Sequence, residues 1–352
     1  MDSEHDDGNG GGNEWTVKPG RVNGKNSKYR SGTHPIKPHV RSEIHKIFTE
    51  HIMKGSKGGR VVGGESIEKR KTVILGFFSD LFYLGYKIES VHNLKQKHLV
   101  GVFNFLEKEG QAPATLQNKI SIMRMFCEWI GKPGMVGSSE DYVLNPLSTA
   151  RTMVAQEDKS WDGKGIDVME KIEQVRKSDE RVAGVLMMCY GFGLRRKEAI
   201  LTNLFKAVDG NTLFLVNGTK GGRARSVPIE YDWQWALLEE VKSMVDQKTG
   251  KLIQRGKTLK QSLNQLEYRL RKHGLFLAGD GVTAHGLRHQ YMQERFIEQM
   301  GVAAPVKGGD ISSLDRSEFK YKTLMLMERA GHSRTQIGAS YYGSRRMKKK
   351  ST

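Results

Sequence analysis

The sequence predicts a mainly α-helical fold with a small β-hairpin or sheet, organised as two folded domains behind an N-terminal arm. Three observations support this prediction. The chain has 352 residues, which is enough for about two hydrophobic cores. Apolar residues recur at helical spacing through most of its length. Only one pair of short strand-like segments flanks a Gly-rich turn.

Residues 1–60 are rich in Gly, Asn and Ser and poor in aromatic residues, which predicts a flexible arm. Its first 14 residues carry five acids, whereas residues 15–60 carry eleven Lys or Arg against Glu43 and Glu50, a net charge of +9. The basic part is either a solvated tail or a segment that lies along a DNA backbone. One short helix is expected in the arm, over residues 41–53.

Residues 61–155 show three apolar stripes, which predict three helices packed as one helical domain. The stripes are formed by Ile74, Phe77, Phe78, Leu81 and Phe82, by Leu99, Val102, Phe103 and Leu106, and by Leu116, Ile120, Met123, Cys127 and Ile130. The last helix is expected to start at Thr115, after Pro113. Lys119 and Arg124 on this helix are candidates for contacts to phosphates.

Residues 156–352 predict a second, mixed domain. An apolar helical segment around residues 182–189 continues to Gly193. Residues 211–216 and 226–229 are expected to form two strands of a hairpin around a Gly-rich turn. The chain after residue 261 is predicted to be helical, with loops at 279–281 and 304–313.

The composition narrows the class of partner. A net charge of +18 and a pI near 9.7 predict a polyanionic partner, and double-stranded nucleic acid is the leading one. No run of eighteen apolar residues and no amphipathic membrane anchor is evident, so no membrane partner is expected. The acidic N-terminus does not resemble a signal region, which favours a cytoplasmic protein, associated with the nucleoid when bound to DNA. Cys127 and Cys189 lie in different apolar segments and indicate neither a disulfide framework nor a metal cluster.

Arg195 lies in the segment Gly-Leu-Arg-Arg-Lys-Glu at residues 193–198, which ends one predicted helix at a glycine and begins another. A side chain at such a junction is expected to face a cleft. A guanidinium group remains charged and can donate to two phosphate oxygens at once, so Arg195 is a candidate phosphate ligand. Arg196 and Lys197 are interpreted as solvated surface charges.

His285 and His289 are four residues apart, which places two imidazoles on one helical face and raises the alternative of a zinc site. The zinc-protease pattern requires Glu at position 286, where this chain has Gly286, and no third ligand with suitable spacing stands out. A nucleotide P-loop is excluded because its sequence pattern is absent. No metal and no other cofactor is therefore expected.

The C-terminal part reads Gly331-His332-Ser333, and Tyr341 follows His332 by nine positions. A free tyrosine hydroxyl is a weak nucleophile with a pKa near 10. It attacks a phosphodiester only where cations and proton-transfer groups surround it. Groups of this kind are Arg195, His285 and Arg288, together with His332 and with Lys220 at the predicted hairpin turn.

These motifs, taken in order, resemble the tyrosine recombinase family, also called phage-type integrases, over roughly residues 64–343. The resemblance implies a helical core-binding (SAM-like) domain followed by a mixed α+β catalytic domain. It assigns the active site to six residues: Arg195, Lys220, His285, Arg288, His332 and Tyr341. Glu198 would orient Arg195, and His289 would give structural support. Tyr342 is the rival nucleophile, with packing of the terminal helix as its ordinary role.

The family's reaction implies that Tyr341 attacks the scissile phosphate and forms a 3′-phosphotyrosine while a 5′-hydroxyl leaves. Arg195, Arg288 and His332 would neutralise the phosphorane, Lys220 would protonate the leaving oxygen, and His285 would assist proton transfer. The implied partners are double-stranded DNA, three further copies of the chain in a four-subunit synapse, and an accessory DNA-bending or directionality protein. The basic tail from Arg345 to Lys350 would dock on a neighbouring subunit or contact the DNA backbone.

The expected outcome is integration or excision of a mobile element, and two other functions remain open. A type IB topoisomerase would use similar residues to relax supercoils without strand exchange. A catalytically inactive DNA-binding protein would retain every measurable function in a Tyr341→Phe variant.

Overall fold

The computed structural model describes residues 31–52, 62–332 and 334–344. The chain divides into two compact units, unit 1 (Met1–Arg151) and unit 2 (Thr152–Thr352). This division falls four residues before the expected boundary at 155. Among the described residues, no helix combines the length and the apolar character needed to cross a bilayer.

In the described part of unit 1 there are four α-helices, which are α1 (Pro38–His51), α2 (Gly64–Tyr83), α3 (Gln96–Lys108) and α4 (Pro113–Trp129). The three predicted apolar stripes lie on α2, α3 and α4 and their residues form one hydrophobic core, with Phe82 packed at its edge. Helix α4 begins at Pro113, two residues before the predicted start. Proline is well suited to this first helical position because its missing N–H has no intrahelical acceptor there.

The short helix predicted over residues 41–53 is present as α1, but the prediction of a flexible arm is wrong over residues 31–52. Helix α1 buries an apolar face in the core of unit 1 through Val40, Ile44, Ile47 and Phe48. The segment before it is held by Asp80, which accepts hydrogen bonds from Ser31 Oγ at 2.6 Å and Gly32 N at 2.7 Å. The rest of the predicted arm, residues 1–30 and 53–60, lies outside the described residues, as does the basic tail from residue 345.

The two predicted phosphate ligands of unit 1 are engaged within their own unit. Arg124 donates to the backbone oxygens of Val136 and Gly137, the first at 3.0 Å, and so fixes the loop after α4. Lys119 is partly buried, and this burial lowers its pKa despite the nearby Asp80 carboxylate. Contact of Arg124 and Lys119 with phosphates stays a prediction, with Arg124 hydrogen-bonded within unit 1 and Lys119 partly buried.

Unit 2 is mainly helical with one small sheet. Its helices are α5 (Val168–Arg176), α6 (Glu180–Phe192), α7 (Arg196–Leu201), α8 (Asp232–Met244), α9 (Leu259–Lys272), α10 (Ala284–Met300), α11 (Arg316–Arg329) and α12 (Ala339–Tyr342). Helix α6 is buried along most of its length and packs against α5, α8 and α10. It forms the centre of the second hydrophobic core.

The sheet has three antiparallel strands, β1 (Val208–Asp209), β2 (Thr212–Leu215) and β3 (Arg225–Pro228). Strands β2 and β3 correspond to the predicted hairpin, and β1 is an additional short strand. In the register, Leu213 pairs with Val227 and Leu215 pairs with Arg225. The turn between β2 and β3 contains Lys220, as predicted, in a short 3₁₀ segment.

Candidate active site

The junction between α6 and α7 presents Arg195 at the N-terminal end of α7. Gly193 ends α6 with a φ of +58°, and a Cβ at this position would lie 2.4 Å from the Tyr291 ring, so only glycine fits. Glu198 lies one turn into α7 and accepts from Arg195 N at 2.7 Å and from Arg195 Nη1 at 2.6 Å. These two bonds fix the direction in which the guanidinium group points.

Arg288 lies on α10 and is 1% exposed. Its three nitrogens all donate to acceptors within unit 2. Nη1 donates to the backbone oxygen of Gly193, Nη2 to that of Ala330 at 2.6 Å, and Nε to Tyr341 Oη at 3.0 Å. Arg288 therefore connects α10, the α6–α7 junction, the end of α11 and α12.

The backbone oxygen of Ala330 is shared by both arginines, because Arg195 Nη2 also donates to it at 3.2 Å. Gly331 then turns the chain with a φ of +70°. His332 Nε2 lies 3.4 Å from Arg195 Nη2 and 3.2 Å from Tyr341 Oη. Arg195, Arg288, His332 and Tyr341 thus form one connected group, which we call the candidate site.

The two adjacent tyrosines of α12 have different surroundings. Tyr341 is 4% exposed, directs its hydroxyl at Arg288 and His332, and has the Arg288 guanidinium 5.6 Å from its ring centre. Tyr342 instead packs its ring against Phe296, with 4.6 Å between ring centres, and burial raises its pKa to about 12. The Tyr341 hydroxyl therefore faces Arg288 and His332, whereas Tyr342 packs in the core.

His285 and His289 flank the Tyr341 ring from α10. The distances between ring centres are 6.3 Å for His285 and 4.9 Å for His289, and the two imidazoles meet edge to face at 5.1 Å. His289 is buried and His285 is exposed. Within the described residues, no group of three or more His, Cys, Asp or Glu is placed to hold a metal ion.

The three imidazoles of the site share a lowered pKa. Burial and the positive charges of Arg288 and Arg195 lower the pKa of His332 to about 4, with a further contribution from Lys220. Partial burial and the same two arginines lower the pKa of His285 to about 4. Burial and the neighbouring His285 lower the pKa of His289 to about 3. An anion bound among these groups would reverse part of this effect.

Lys220 is the predicted residue that lies at the margin of the candidate site. Its side chain is exposed on the turn between β2 and β3. Its charge nevertheless lowers the pKa of His332, so the ammonium group lies within electrostatic range of that imidazole. This position is consistent with a lysine that approaches a ligand from the side of the hairpin.

Arg225 is a buried cation next to the candidate site that the sequence reasoning did not identify. It donates to Glu198 through Nε at 3.3 Å and through Nη2 at 2.8 Å. Burial alone would raise the pKa of Glu198, but Arg225 and Arg195 hold it at about 2. The sequence did contain a signal, because Arg225 and Val227 face the same way on a strand and Val227 is apolar. The predicted strand began one residue too late to include Arg225.

Two family models match the chain. The model described as integrase matches residues 151–294, and the model described as phage integrase, N-terminal, matches residues 60–136. Together they cover more than half of the sequence, and the first includes four of the six predicted site residues. The chain belongs to the tyrosine recombinase family, or phage integrases. His332 and Tyr341 of this tyrosine recombinase lie beyond both matches, so the geometry alone connects them to the site.

Known tyrosine recombinases resemble the chain in sequence and fold. The tyrosine recombinase XerC of Proteus mirabilis is 27% identical over 219 residues, which are 58% of this chain and 66% of the relative. The chain thus spans slightly less than two thirds of that relative's length.

Two solved structures share the fold. A lambda integrase tetramer bound to a Holliday junction has a TM-score of 0.56 and 13% identity, covering 89% of this chain and 80% of that one. A XerH site-specific recombinase bound to a palindromic difH substrate has a TM-score of 0.51 and 14% identity, covering 88% and 95%. At these identities the likeness concerns the fold, which is that of a tyrosine recombinase with a helical N-terminal domain.

Proposed function

We propose that the chain is a site-specific DNA recombinase that cleaves and rejoins DNA through a 3′-phosphotyrosine on Tyr341. The observation that carries this proposal is the position of the Tyr341 hydroxyl, 3.0 Å from Arg288 Nε and 3.2 Å from His332 Nε2. A phenol surrounded by a guanidinium and an imidazole has next to it the groups that an attacked phosphate requires.

In the proposed reaction, Tyr341 Oη forms a bond to the scissile phosphorus while the bond to the 5′ oxygen breaks. His285, a neutral imidazole, assists removal of the phenolic proton, and Lys220 supplies a proton to the departing 5′ oxygen. The released 5′-hydroxyl, or one from a second duplex, reverses the step. The phosphodiester bond energy stays in the phosphotyrosine link, so the reaction needs no ATP.

Arg195, Arg288 and His332 are proposed to stabilise the charge that builds on the non-bridging oxygens. Such stabilisation by preorganised donors is usually the largest single contribution to catalysis. Arg288 donates to the phenol and to two backbone oxygens. Binding of a phosphate therefore requires Arg288 to release one of these acceptors and to donate to a phosphate oxygen instead. Catalytic hydrogen bonds commonly reach their final geometry only in the substrate complex.

The partners follow from charge and family membership. We propose that unit 1 is the core-binding domain, that unit 2 is the catalytic domain, and that double-stranded DNA is the substrate, in agreement with the net charge of +18. The similar lambda integrase forms a tetramer on a Holliday junction, which supports a four-subunit synapse for this chain. Integration or excision of a mobile element, with an accessory DNA-bending or directionality protein, completes the proposal.

The test uses a nicked duplex that carries the element's own end, from which the cleaved strand diffuses away and traps the intermediate. We expect a detergent-resistant protein–DNA adduct that is lost in Tyr341→Phe and retained in Tyr342→Phe. Loss in Tyr342→Phe alone would move the nucleophile to Tyr342. Plasmid relaxation without exchange between two marked duplexes would instead indicate a type IB topoisomerase, and wild-type function in Tyr341→Phe would indicate an inactive DNA-binding protein.

A further inference from the structure

Arg225 is a cation whose guanidinium nitrogens all donate within the protein. Its side chain is 4% exposed. Nε and Nη2 donate to Glu198, Nη1 donates to the backbone oxygen of Arg329 at 2.5 Å, and Nη2 lies 3.4 Å from the backbone oxygen of Gly193. The acceptors come from α7, the end of α11 and the end of α6, so one side chain on β3 joins three segments that carry the candidate site.

We infer that Arg225 is a positioning residue for DNA cleavage, which fixes Arg195 through Glu198 and fixes the Ala330 carbonyl and His332 through the end of α11. This inference rests on the proposed function for the reaction it names. Because all of its nitrogens are engaged and its side chain is buried, Arg225 itself does not contact the substrate.

The first route runs through the Glu198 carboxylate, which lies between two arginines. Oε1 accepts from Arg195 Nη1 at 2.6 Å and from Arg225 Nε at 3.3 Å. Oε2 accepts from the Arg195 backbone N–H at 2.7 Å and from Arg225 Nη2 at 2.8 Å. Glu198 is 0% exposed, and a buried carboxylate stays ionised only when it is paired and hydrogen-bonded. Without Arg225, Glu198 is expected to take up a proton more readily and to hold Arg195 less firmly.

The second route runs through the last turn of α11. Arg225 Nη1 holds the Arg329 oxygen, and the next carbonyl, that of Ala330, is the shared acceptor of Arg195 and Arg288. The Arg225 stem also packs against Gly331, where an added Cβ would lie 2.5 Å from Arg225 Cδ. His332 follows directly, so the path of the chain into the candidate site depends on the Arg225 side chain.

The shape of the guanidinium group matters in both routes. It is planar and donates in several fixed directions, whereas an ammonium group donates from a single nitrogen. A lysine at position 225 would keep the charge near Glu198 and could not hold Glu198 and the Arg329 oxygen in the same geometry. Charge and geometry can therefore be separated by comparing Arg225→Lys with Arg225→Met.

The experiment uses the full chain with the nicked duplex and four variants: Arg225→Met, Arg225→Lys, Arg225→Met/Glu198→Gln and Arg295→Met. Arg295 is the matched control, because it is also 4% exposed and paired with a glutamate, with Nη2 2.6 Å from Glu298. For each protein, the duplex dissociation constant, the rate constant of adduct formation at saturating duplex, and the pH dependence of that rate constant are measured. Circular dichroism establishes that each variant is folded.

We expect Arg225→Met to lower the rate constant about 100-fold with little change in duplex affinity, because a displacement of about 1 Å can cost that factor. As the pH is lowered, the rate constant of Arg225→Met should begin to decrease at a higher pH than that of the wild type. The double variant should lose this acid shift because it has no carboxyl at position 198. Arg225→Lys should show a lowered rate without the full acid shift, and Arg295→Met should keep the wild-type rate and pH dependence.

A second readout does not depend on cleavage. The protein is labelled with ¹³C at the glutamate side-chain carboxyl, and the Glu198 signal is identified by its loss in a Glu198→Gln variant. This signal should not titrate above pH 4 in the wild type and should titrate above pH 4 in Arg225→Met. If Arg225→Met is unfolded, the titration midpoint of Glu198 should move to higher pH in Arg225→Lys. Wild-type cleavage rates in both Arg225→Met and Arg225→Lys overturn the inference, as does an unmoved Glu198 titration. Absence of an adduct with the wild type contradicts the proposed function and leaves the carboxyl titration to decide the role of Arg225.

Discussion

Arg288 Nε donates a hydrogen bond to Tyr341 Oη over 3.0 Å, which connects two residues 53 positions apart in the chain. His332 Nε2 approaches the same hydroxyl at 3.2 Å, and Arg195 shares the Ala330 carbonyl with Arg288. The proposed nucleophile thus lies among the donors that are proposed to bind the phosphate. This arrangement makes the stability and the chemistry of the site depend on the same side chains.

Arg288→Lys should lower stability as well as cleavage. A lysine donates from one nitrogen and cannot serve the Gly193 and Ala330 carbonyls together with the Tyr341 hydroxyl. With two hydrogen bonds lost at about 1 kcal/mol each, the free energy of unfolding should fall by about 2 kcal/mol. Urea unfolding measures this change. Arg196→Lys is the control, because the Arg196 side chain is 46% exposed, and its free energy of unfolding should stay within about 0.5 kcal/mol of the wild-type value. Equal stability of the two variants would contradict the role given to Arg288.

The pKa of His332 should rise when DNA binds. It is about 4 in the DNA-free protein because of burial and the charges of Arg288 and Arg195. A phosphodiester carries a negative charge that favours the imidazolium form and so moves the pKa upward. Imidazole NMR in complexes of Tyr341→Phe, which cannot cleave, should show this rise with a native scissile phosphate and a smaller one with an uncharged methylphosphonate. The same pKa in both complexes would indicate that His332 does not face the phosphate.

Lys220→Ala should slow adduct formation by about 10²–10⁴-fold if Lys220 is the proton donor to the 5′ oxygen. A duplex with sulfur in place of that bridging oxygen should restore most of the rate, because a thiolate leaves without protonation. The exposed Arg223, on the same turn, provides a matched control in Arg223→Ala. A defect in Lys220→Ala that sulfur substitution does not repair would assign Lys220 to DNA binding.

Acidification should destabilise the folded chain through His289. Burial and His285 lower its pKa to about 3 in the folded state, against about 6.5 for an unfolded chain. Below pH 6.5 the unfolded chain therefore binds a proton that the folded chain excludes. The free energy of unfolding consequently decreases as the pH is lowered. At pH 5 this contribution amounts to about 2 kcal/mol. His289→Asn should reduce the loss of stability between pH 7 and pH 5. His39→Asn is the control and should not reduce it, because the His39 side chain is 55% exposed. If the free energy of unfolding depends on pH identically in the wild type and both variants, the assignment of this effect to His289 is contradicted.

The sequence predicted the parts of the fold that depend on local pattern. The helices α2, α3 and α4 and the hairpin of β2 and β3 follow from apolar periodicities and a turn signal that are visible in this sequence alone. Helix α1 was missed as a core element because the surrounding Gly, Asn and Ser residues dominated the composition. Its apolar positions, Val40, Ile44, Ile47 and Phe48, do recur at helical spacing and were the available signal.

The candidate site was predictable residue by residue only where the family motif names a residue. Arg195, Arg288, His332 and Tyr341 were expected from their order, and the structure brings them together. Arg225 was not expected, because its shared strand face with Val227 indicates only that it could point inward and does not reveal its carboxylate partner 27 residues earlier. Buried ion pairs of this kind depend on tertiary packing, which local pattern does not encode.

The most direct test of the account locates the covalent link by mass spectrometry. Trypsin cleaves after Arg334 and Arg345, so the peptide of residues 335–345 contains both Tyr341 and Tyr342. After the trapped duplex is trimmed by nuclease, fragmentation of this peptide assigns the remaining nucleotide to one tyrosine. The account predicts a 3′-linked nucleotide on Tyr341, and a nucleotide on Tyr342, or on a residue outside this peptide, would contradict it.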